Sequence, residues 1–459
     1  MNIPAKAVNA RAPWAPYVPS DKAPWDLRRV VHLHRRAGFA ATWGELQRDL
    51  KDGPGASIDR VLTGKARRDG VPGDFAAVAD TLARHAGDTD RLKAWWVYRM
   101  LFGPDPLTER LVLMWHNHFA TSAAKAGMAV RRQNEIFRAY ARVPFGELLQ
   151  RVVHDPALLV WLDAQANRRG SPNENLGREL MELFTLGIGP YTESDVKAAA
   201  RALTGWTVDK DQFKEDTGLH DPGEKTILGQ KGRWKGDDLV RLLLDHPATA
   251  ARLAFRVCEL FLGEGAADAT GIQALAAGLR QRRLDVGWAV ETVLRSEAFF
   301  AEANLGSRVL GPVEYVVGSA RALELLDPSP NTLILAEFAA HLGQDLFHPP
   351  NVGGWPGGRS WISTRSAIGR YNFAQALLGG VDVGRGEVFD PPALARRHGR
   401  GGDLASLVSF HAELLLGGLP DAGWRDQLLA ALGPKPVTDA ATARQAVALI
   451  LASPEAQLG

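Results

Sequence analysis

The chain is 459 residues long, 46% apolar and 23% charged, the composition of a soluble globular protein with a sizeable core. Its formal net charge of +2 offers no basic field to nucleic acid or an anionic membrane, and no apolar run approaches the roughly 18 residues of a membrane span. A single cysteine, Cys258, excludes an intramolecular disulfide; at helical spacing among apolar residues it reads as a small buried hydrophobe.

Residues 1–27 are rich in Pro and Ala and carry Trp14, Tyr17 and Trp25, a pattern for an extended arm laid on the surface. They hold no apolar h-region and no twin arginine ahead of one, so no secretory signal is read in them and the compartment stays open. Beyond them, Gly and Pro punctuate runs with apolar residues at i, i+3 and i+4, the period of amphipathic helices. Asp105 and Pro106 open one such run as N-cap and first helical residue. Within it "MWHNHFATS" (114–122) suggests a His-x-His metal site, but residues two apart on a helix point about 200° apart. His116 and His118 therefore cannot both face one ion, and His118 is kept as a pocket-facing candidate.

The stretch "SPNENLGRELMELFTLG" (171–187) predicts a helix capped by Ser171, with Pro172 next, Glu174 closing a capping box and Gly187 at the end. Leu176, Leu180, Leu183 and Phe184 form its core face; Asn175, Glu179 and Glu182 form a polar stripe beside it. Glu174 and Arg178 are expected as an i, i+4 pair on the far side. Two carboxylates one turn apart at the rim of a core repel unless something intervenes. Three outcomes fit: an internal arginine pair, a metal or a raised-pKa acid/base pair, or solvent exposure. The preceding turn adds Asp163, Asn167 and Asn173, a dense set of hard oxygen ligands, though not at calcium-loop spacing.

Thr192 and Asp195 predict the cap of a further helix ending at Gly205, and residues 208–232 an irregular or hairpin insertion. That insertion brings His220, Asp221, Glu224 and Lys225 close together in a loop. No nucleophile elbow, dinucleotide fingerprint, P-loop or His-Glu-x-x-His helix accompanies them. Residues 346–363 hold three Pro, four Gly and two Trp, which reads as a rigid shaped loop presenting Trp355 and Trp361 near its surface. The fold expected is all-α, a large multi-helix array with ordered Gly/Pro-rich loops. A main helical domain over 28–395 and a small C-terminal helical lobe over 396–459 are expected, divided by a Gly-rich patch near 398–402.

Several segments occur in an order that resembles a known family: "RRAGFAAT", "MWHNHFATS", the block from "DPALLVWLDAQANRRGSPNEN" to "ALTGWTV", "HDPGEKTILG", "LGQDLFHPPNVGGWPGG" and "LASPEAQLG". The chain is similar over residues 28–459 to the large bacterial family catalogued as domain of unknown function 1800. The family pattern is matched at Asn173, Glu174, Asn175, Arg178, Glu179, Glu182 and Gly187, and in the loop at His220, Asp221, Gly223 and Lys225. The resemblance brings no activity with it. It implies an exported protein, periplasmic or secreted, often encoded beside a sulfatase-like protein that could be its partner.

Two functions are expected from these readings. The first is a hydrolase or other acid/base enzyme acting on a carbohydrate or cell-envelope polymer. Glu179, Glu182, His220 and Asp221 would be catalytic, with His220 steered by Asp221. Asn175, Arg178, Asn167, His118, Trp355 and Trp361 would bind substrate. One divalent metal ion, held by Glu179, Glu182 and Asp163, is the candidate cofactor. The second is a non-catalytic helical scaffold that binds a sulfatase-like partner, its carboxylates paired internally with Arg168, Arg169, Arg178 or Arg201.

Overall fold

Capping residues ahead of apolar-periodic runs start most of the helices. Asp105 accepts from the Thr108 amide at 3.0 Å with Pro106 in the first turn, and Thr192 and Asp195 form a complete capping box. The structure, a computed structural model, describes residues 13–67, 70–433 and 439–459. It is all-α: 59% helical, with 22 α-helices among the described residues and two small two-stranded sheets. No described helix is long and apolar enough to cross a membrane.

The insertion resolves into two antiparallel hairpins, β1 (Trp206–Asp209) with β2 (Gln212–Glu215) and β3 (Lys225–Ile227) with β4 (Gln230–Gly232). Each closes through two residues at positive φ, Lys210 and Asp211 in the first, Leu228 and Gly229 in the second, the conformation that suits the strand twist. The preceding helix stops at Ala202, earlier than Gly205. The apolar run 238–263 divides between two helices, Gly236–Asp245 and Pro247–Phe261. His246 is extended because Pro247 follows it, and Pro247 opens the helix Pro247–Phe261. Cys258 is buried in that helix, and burial pushes its thiol up to about 12.

Residues 13–26 lie along the rest of the protein as an extended segment. The Trp14 indole N–H donates to the Gly271 carbonyl at 2.9 Å, and the Tyr17 amide donates to the Arg295 carbonyl at 2.8 Å. Residues 1–12 of the expected arm lie outside the described residues. At the other end, Ala440–Ala452 packs against Thr364–Gly379, and the Tyr315 hydroxyl donates to the Leu451 carbonyl at 3.1 Å. One apolar core runs from Tyr17 to Leu451 through both segments.

Candidate functional site

The helix of the 171–187 stretch opens later than its sequence suggests. Neither Ser171 nor Glu174 caps it: Ser171 pairs with Arg168, and the helix Asn175–Glu179 begins behind Asn173, whose side chain accepts from the Asn175 amide at 2.9 Å. Asn167 in turn accepts from the Asn173 amide at 3.0 Å and donates to the Ala200 carbonyl at 2.8 Å. Buried and fully engaged, Asn167 is a brace of the turn. Asn175 donates to the Leu162 carbonyl at 3.3 Å. Arg178 forms the expected pair with Glu174 at 3.0 Å and a second with Glu193 at 2.7 Å.

At Leu180 the helix widens into a π-helix, Leu180–Thr185, with the Leu186 amide reaching back to the Met181 carbonyl at 2.8 Å. The Thr185 hydroxyl donates to the Leu180 carbonyl, and His118 from the Pro106–Phe119 helix donates to the Phe184 carbonyl at 3.1 Å. The wider turn rotates the later residues, so Met181 and Thr185 are buried while Leu183 is only half-buried. π-turns recur at functional sites because they re-aim side chains in this way.

Glu179 stands just before that turn, 9% exposed, with no hydrogen bond or ion pair among the described residues. Burial, and then the Glu182 charge, push its carboxyl above the ordinary range against the pull of Arg178. Glu182, half-buried on the π-turn, accepts from the Tyr191 hydroxyl at 2.9 Å. Burial and that bond push the Tyr191 phenol up to about 12. Tyr191 was not among the sequence candidates; its signal was its place just after the Gly-Ile-Gly-Pro turn that ends the helix.

Asp163 does not join these carboxylates. It is exposed and pairs with Lys125 at 2.7 Å, and no group of three or more His, Cys, Asp or Glu among the described residues is arranged to hold a metal ion. The three-carboxylate metal set expected from the sequence is therefore not assembled.

The His220–Asp221 loop is tied to other partners. Asp221 binds Arg201 at 2.7 Å and the Gly223 amide at 2.8 Å, and Arg201 first among these holds its carboxyl down at about 2. His220 is buried and its Nδ1 bonds the Thr204 carbonyl at 3.1 Å, so Asp221 does not steer it. Lys225, also buried, donates to the Asp221 and Gly223 carbonyls at 2.7 and 2.9 Å. The Asp163–Asn175 turn and this loop do meet, through the bond from the Arg169 amide to the Leu219 carbonyl at 2.8 Å. The charges acting on Glu179 are Glu182 and Arg178, whereas those acting on Asp221 are Arg201 and Lys225, so the two groups share no partner.

"HNH" proves to be a clamp. His116 accepts from the Phe347 amide at 3.2 Å, and burial lowers its imidazole to about 3. Asn117 accepts from the Trp355 amide at 2.7 Å and donates to the Trp355 carbonyl at 3.3 Å. His118 packs among Trp115, Phe119, Phe145 and Phe184 and holds the π-helix end, so it faces core rather than a pocket. Trp355 and Trp361 are 5% and 9% exposed, which makes them cleft walls and not surface platforms. Gly354 and Gly358, both at positive φ, let the loop backbone press onto Asn117 and Glu264, where a Cβ would overlap.

The cleft behind that loop was not read from the sequence. It measures about 140 Å³ between the Pro106–Phe119, Pro247–Phe261 and Pro312–Ala322 helices, and Arg256, Glu259 and Glu264 line it. A signal was present: Arg252, Arg256 and Glu259 recur at i, i+4 and i+7 on an otherwise apolar helix.

Fold and site together define an all-α protein with a buried glutamate, unpaired among the described residues, just ahead of a π-turn, and a polar cleft under a Gly/Pro-rich loop. The chain belongs to the family described as Protein of unknown function (DUF1800), whose model matches residues 32–458. No curated protein and no solved structure matches it.

Proposed function

We propose that the chain is an acid/base enzyme, a hydrolase acting on a carbohydrate or cell-envelope polymer, with Glu179 as its proton-transfer group. One observation carries the reading: Glu179 is a buried residue whose carboxyl has no partner among the described residues, beside a second carboxylate that a tyrosine orients. A group so placed keeps its proton to higher pH than an ordinary glutamate, as a general acid must. Glu182, positioned by Tyr191, is the group to accept a proton or activate water. Asn175 and Arg178 flank the pair on the same short helix. His220 and Asp221, bound to Thr204 and Arg201, brace the adjoining hairpins instead of joining the reaction. The polymer would be met outside the cytoplasm, in keeping with the export that the family resemblance implies. The test is hydrolysis of purified cell-envelope glycans by wild type and Glu179→Gln at matched melting temperature. Equal rates in the two proteins would refute the assignment.

A second reading is a helical scaffold for a sulfatase-like partner. It is favoured by Ile188, 86% exposed between Gly187 and Gly189, and by the internal pairing of Asp221 with Arg201. Co-purification with that partner at fixed stoichiometry, weakened by Ile188→Ser, would support it; a lone monomer would not.

A further inference from the structure

The cleft under the Gly/Pro-rich loop holds more polar capacity than the protein itself uses. Glu314 is neutralised within the fold by Arg110 at 2.7 Å and Arg308 at 3.0 Å. The remaining polar groups are left nearly free. Arg256 makes one long bond, 3.3 Å to Glu259, and Glu264 makes none among the described residues. Gln344 accepts from the Val313 amide at 3.1 Å through its oxygen, and its NH₂ group has no partner among the described residues. Among the described residues, neither the Trp355 nor the Trp361 indole N–H has a partner.

These groups are also held rigid. Asn117 pins the Trp355 backbone from both sides, the Ser366 hydroxyl donates to the Trp361 carbonyl at 2.8 Å, and Gly358 packs directly on the Glu264 carboxylate. A neighbouring cavity of about 400 Å³ shares Trp355, Pro356 and Trp361 as a wall, so the loop borders a two-part cleft.

A ligand for this cleft needs hydroxyls that donate to Glu259 and Glu264 and accept from Arg256, Gln344 and the indoles, and C–H faces that pack on tryptophan. It needs no net charge, since acids and bases here nearly balance. We propose that the cleft binds a neutral saccharide, one ring in the inner cavity and the chain continuing across Trp355 and Trp361 into the outer one. Its ligand class is the one the enzymatic reading requires and to that extent rests on it, but none of its residues belongs to the Glu179 site, so the two can fail separately.

The experiment is saturation-transfer NMR and calorimetry on the full chain at neutral pH. The probes are glucose, N-acetylglucosamine, maltotetraose, cellotetraose and chitotetraose. At least one tetrasaccharide should bind more tightly than its monomer. Trp361→Ala and Glu264→Gln should each weaken it by about tenfold or more. Glu264 is exposed, so its variant carries the test if Trp361→Ala fails to fold. No transfer from any of the five sugars would overturn the proposal. So would binding that both cleft variants leave intact, or binding lost only in Glu179→Gln, which would place the sugar at the other site.

Discussion

At the scale of single residues, Glu179 and Asp155 are both buried and have no ion pair among the described residues, and burial pushes both carboxyls above the ordinary range. Asp155 caps the helix Pro156–Trp161 through Oδ1, which accepts from the Ala157 amide at 3.3 Å, while Oδ2 is buried and unbonded. Burial above all pushes it up to about 7. Such a group holds a proton in the fold that the unfolded chain has already lost, so stability falls as pH rises from about 4 toward 7. Asp155→Asn keeps the cap and removes the ionisation. Its urea midpoint should match wild type near pH 4 and exceed it at pH 8, where the difference in unfolding free energy is on the order of a few kcal/mol. Parallel curves would refute the assignment. For Glu179→Gln the same sign applies, so the variant should melt no lower than wild type at pH 8. If Glu179 transfers the proton, turnover should fall about a hundredfold or more. A loss of melting temperature with turnover intact would instead make it a structural residue.

At the scale of elements, one helix holds two others, the Gly/Pro-rich loop and the π-turn. His116, Asn117 and His118 satisfy backbone groups of Phe347, Trp355 and Phe184, so three successive side chains fix the loop, its tryptophan and the π-turn. Asn117→Ala leaves the Trp355 N–H and C=O without their partners, an expected cost of about 2–4 kcal/mol. Hydrogen exchange at Trp355 should accelerate while that of the Pro106–Phe119 helix core does not; unchanged exchange at Trp355 would contradict the clamp. The His220 loop makes the complementary case. Asp221→Asn should lower stability by about 1 kcal/mol and leave turnover alone, since Asp221 bonds Arg201 and its own loop. A collapse of turnover at unchanged melting temperature would return Asp221 to the catalytic site.

At the scale of the whole molecule, buried ion pairs join segments far apart in the chain. Glu45 meets Arg321 at 2.6 Å, Glu109 meets Arg138 at 2.6 Å, and Glu314 meets Arg110 at 2.7 Å. Against the cost of burial, these arginines hold each carboxyl below its usual range, Glu314 at about 2. Carboxylates depressed in the fold stabilise it above the unfolded value of about 4.3 and lose that contribution as pH falls through the folded one. Acid should therefore cut the urea midpoint steeply between pH 4 and pH 2, even as Asp155 pulls the other way above pH 4. A flat profile below pH 4 would mean the pairs do not couple to folding.

Much of this was legible in the chain itself. Helical period, the Asp105–Pro106 and Thr192–Asp195 caps, the hairpin insertion, the buried Cys258 and the Glu174–Arg178 pair all follow from neighbours within a few residues. Local chemistry decides such features, so local sequence reports them. Other features rest on residues that meet only in the fold. The cap moved from Ser171 to Asn173 because Asn167 holds that turn against Ala200. Leu183 left the core face when a π-turn, braced by His118, rotated the helix beneath it. Trp355 became a cleft wall, and Asp221 met Arg201 and not His220, through contacts 238 and 20 residues apart. The sequence by itself determined the helices and which side chains carry charge; only tertiary structure decided which charges are paired, because a partner's identity depends on distance in space and the burial that surrounds it.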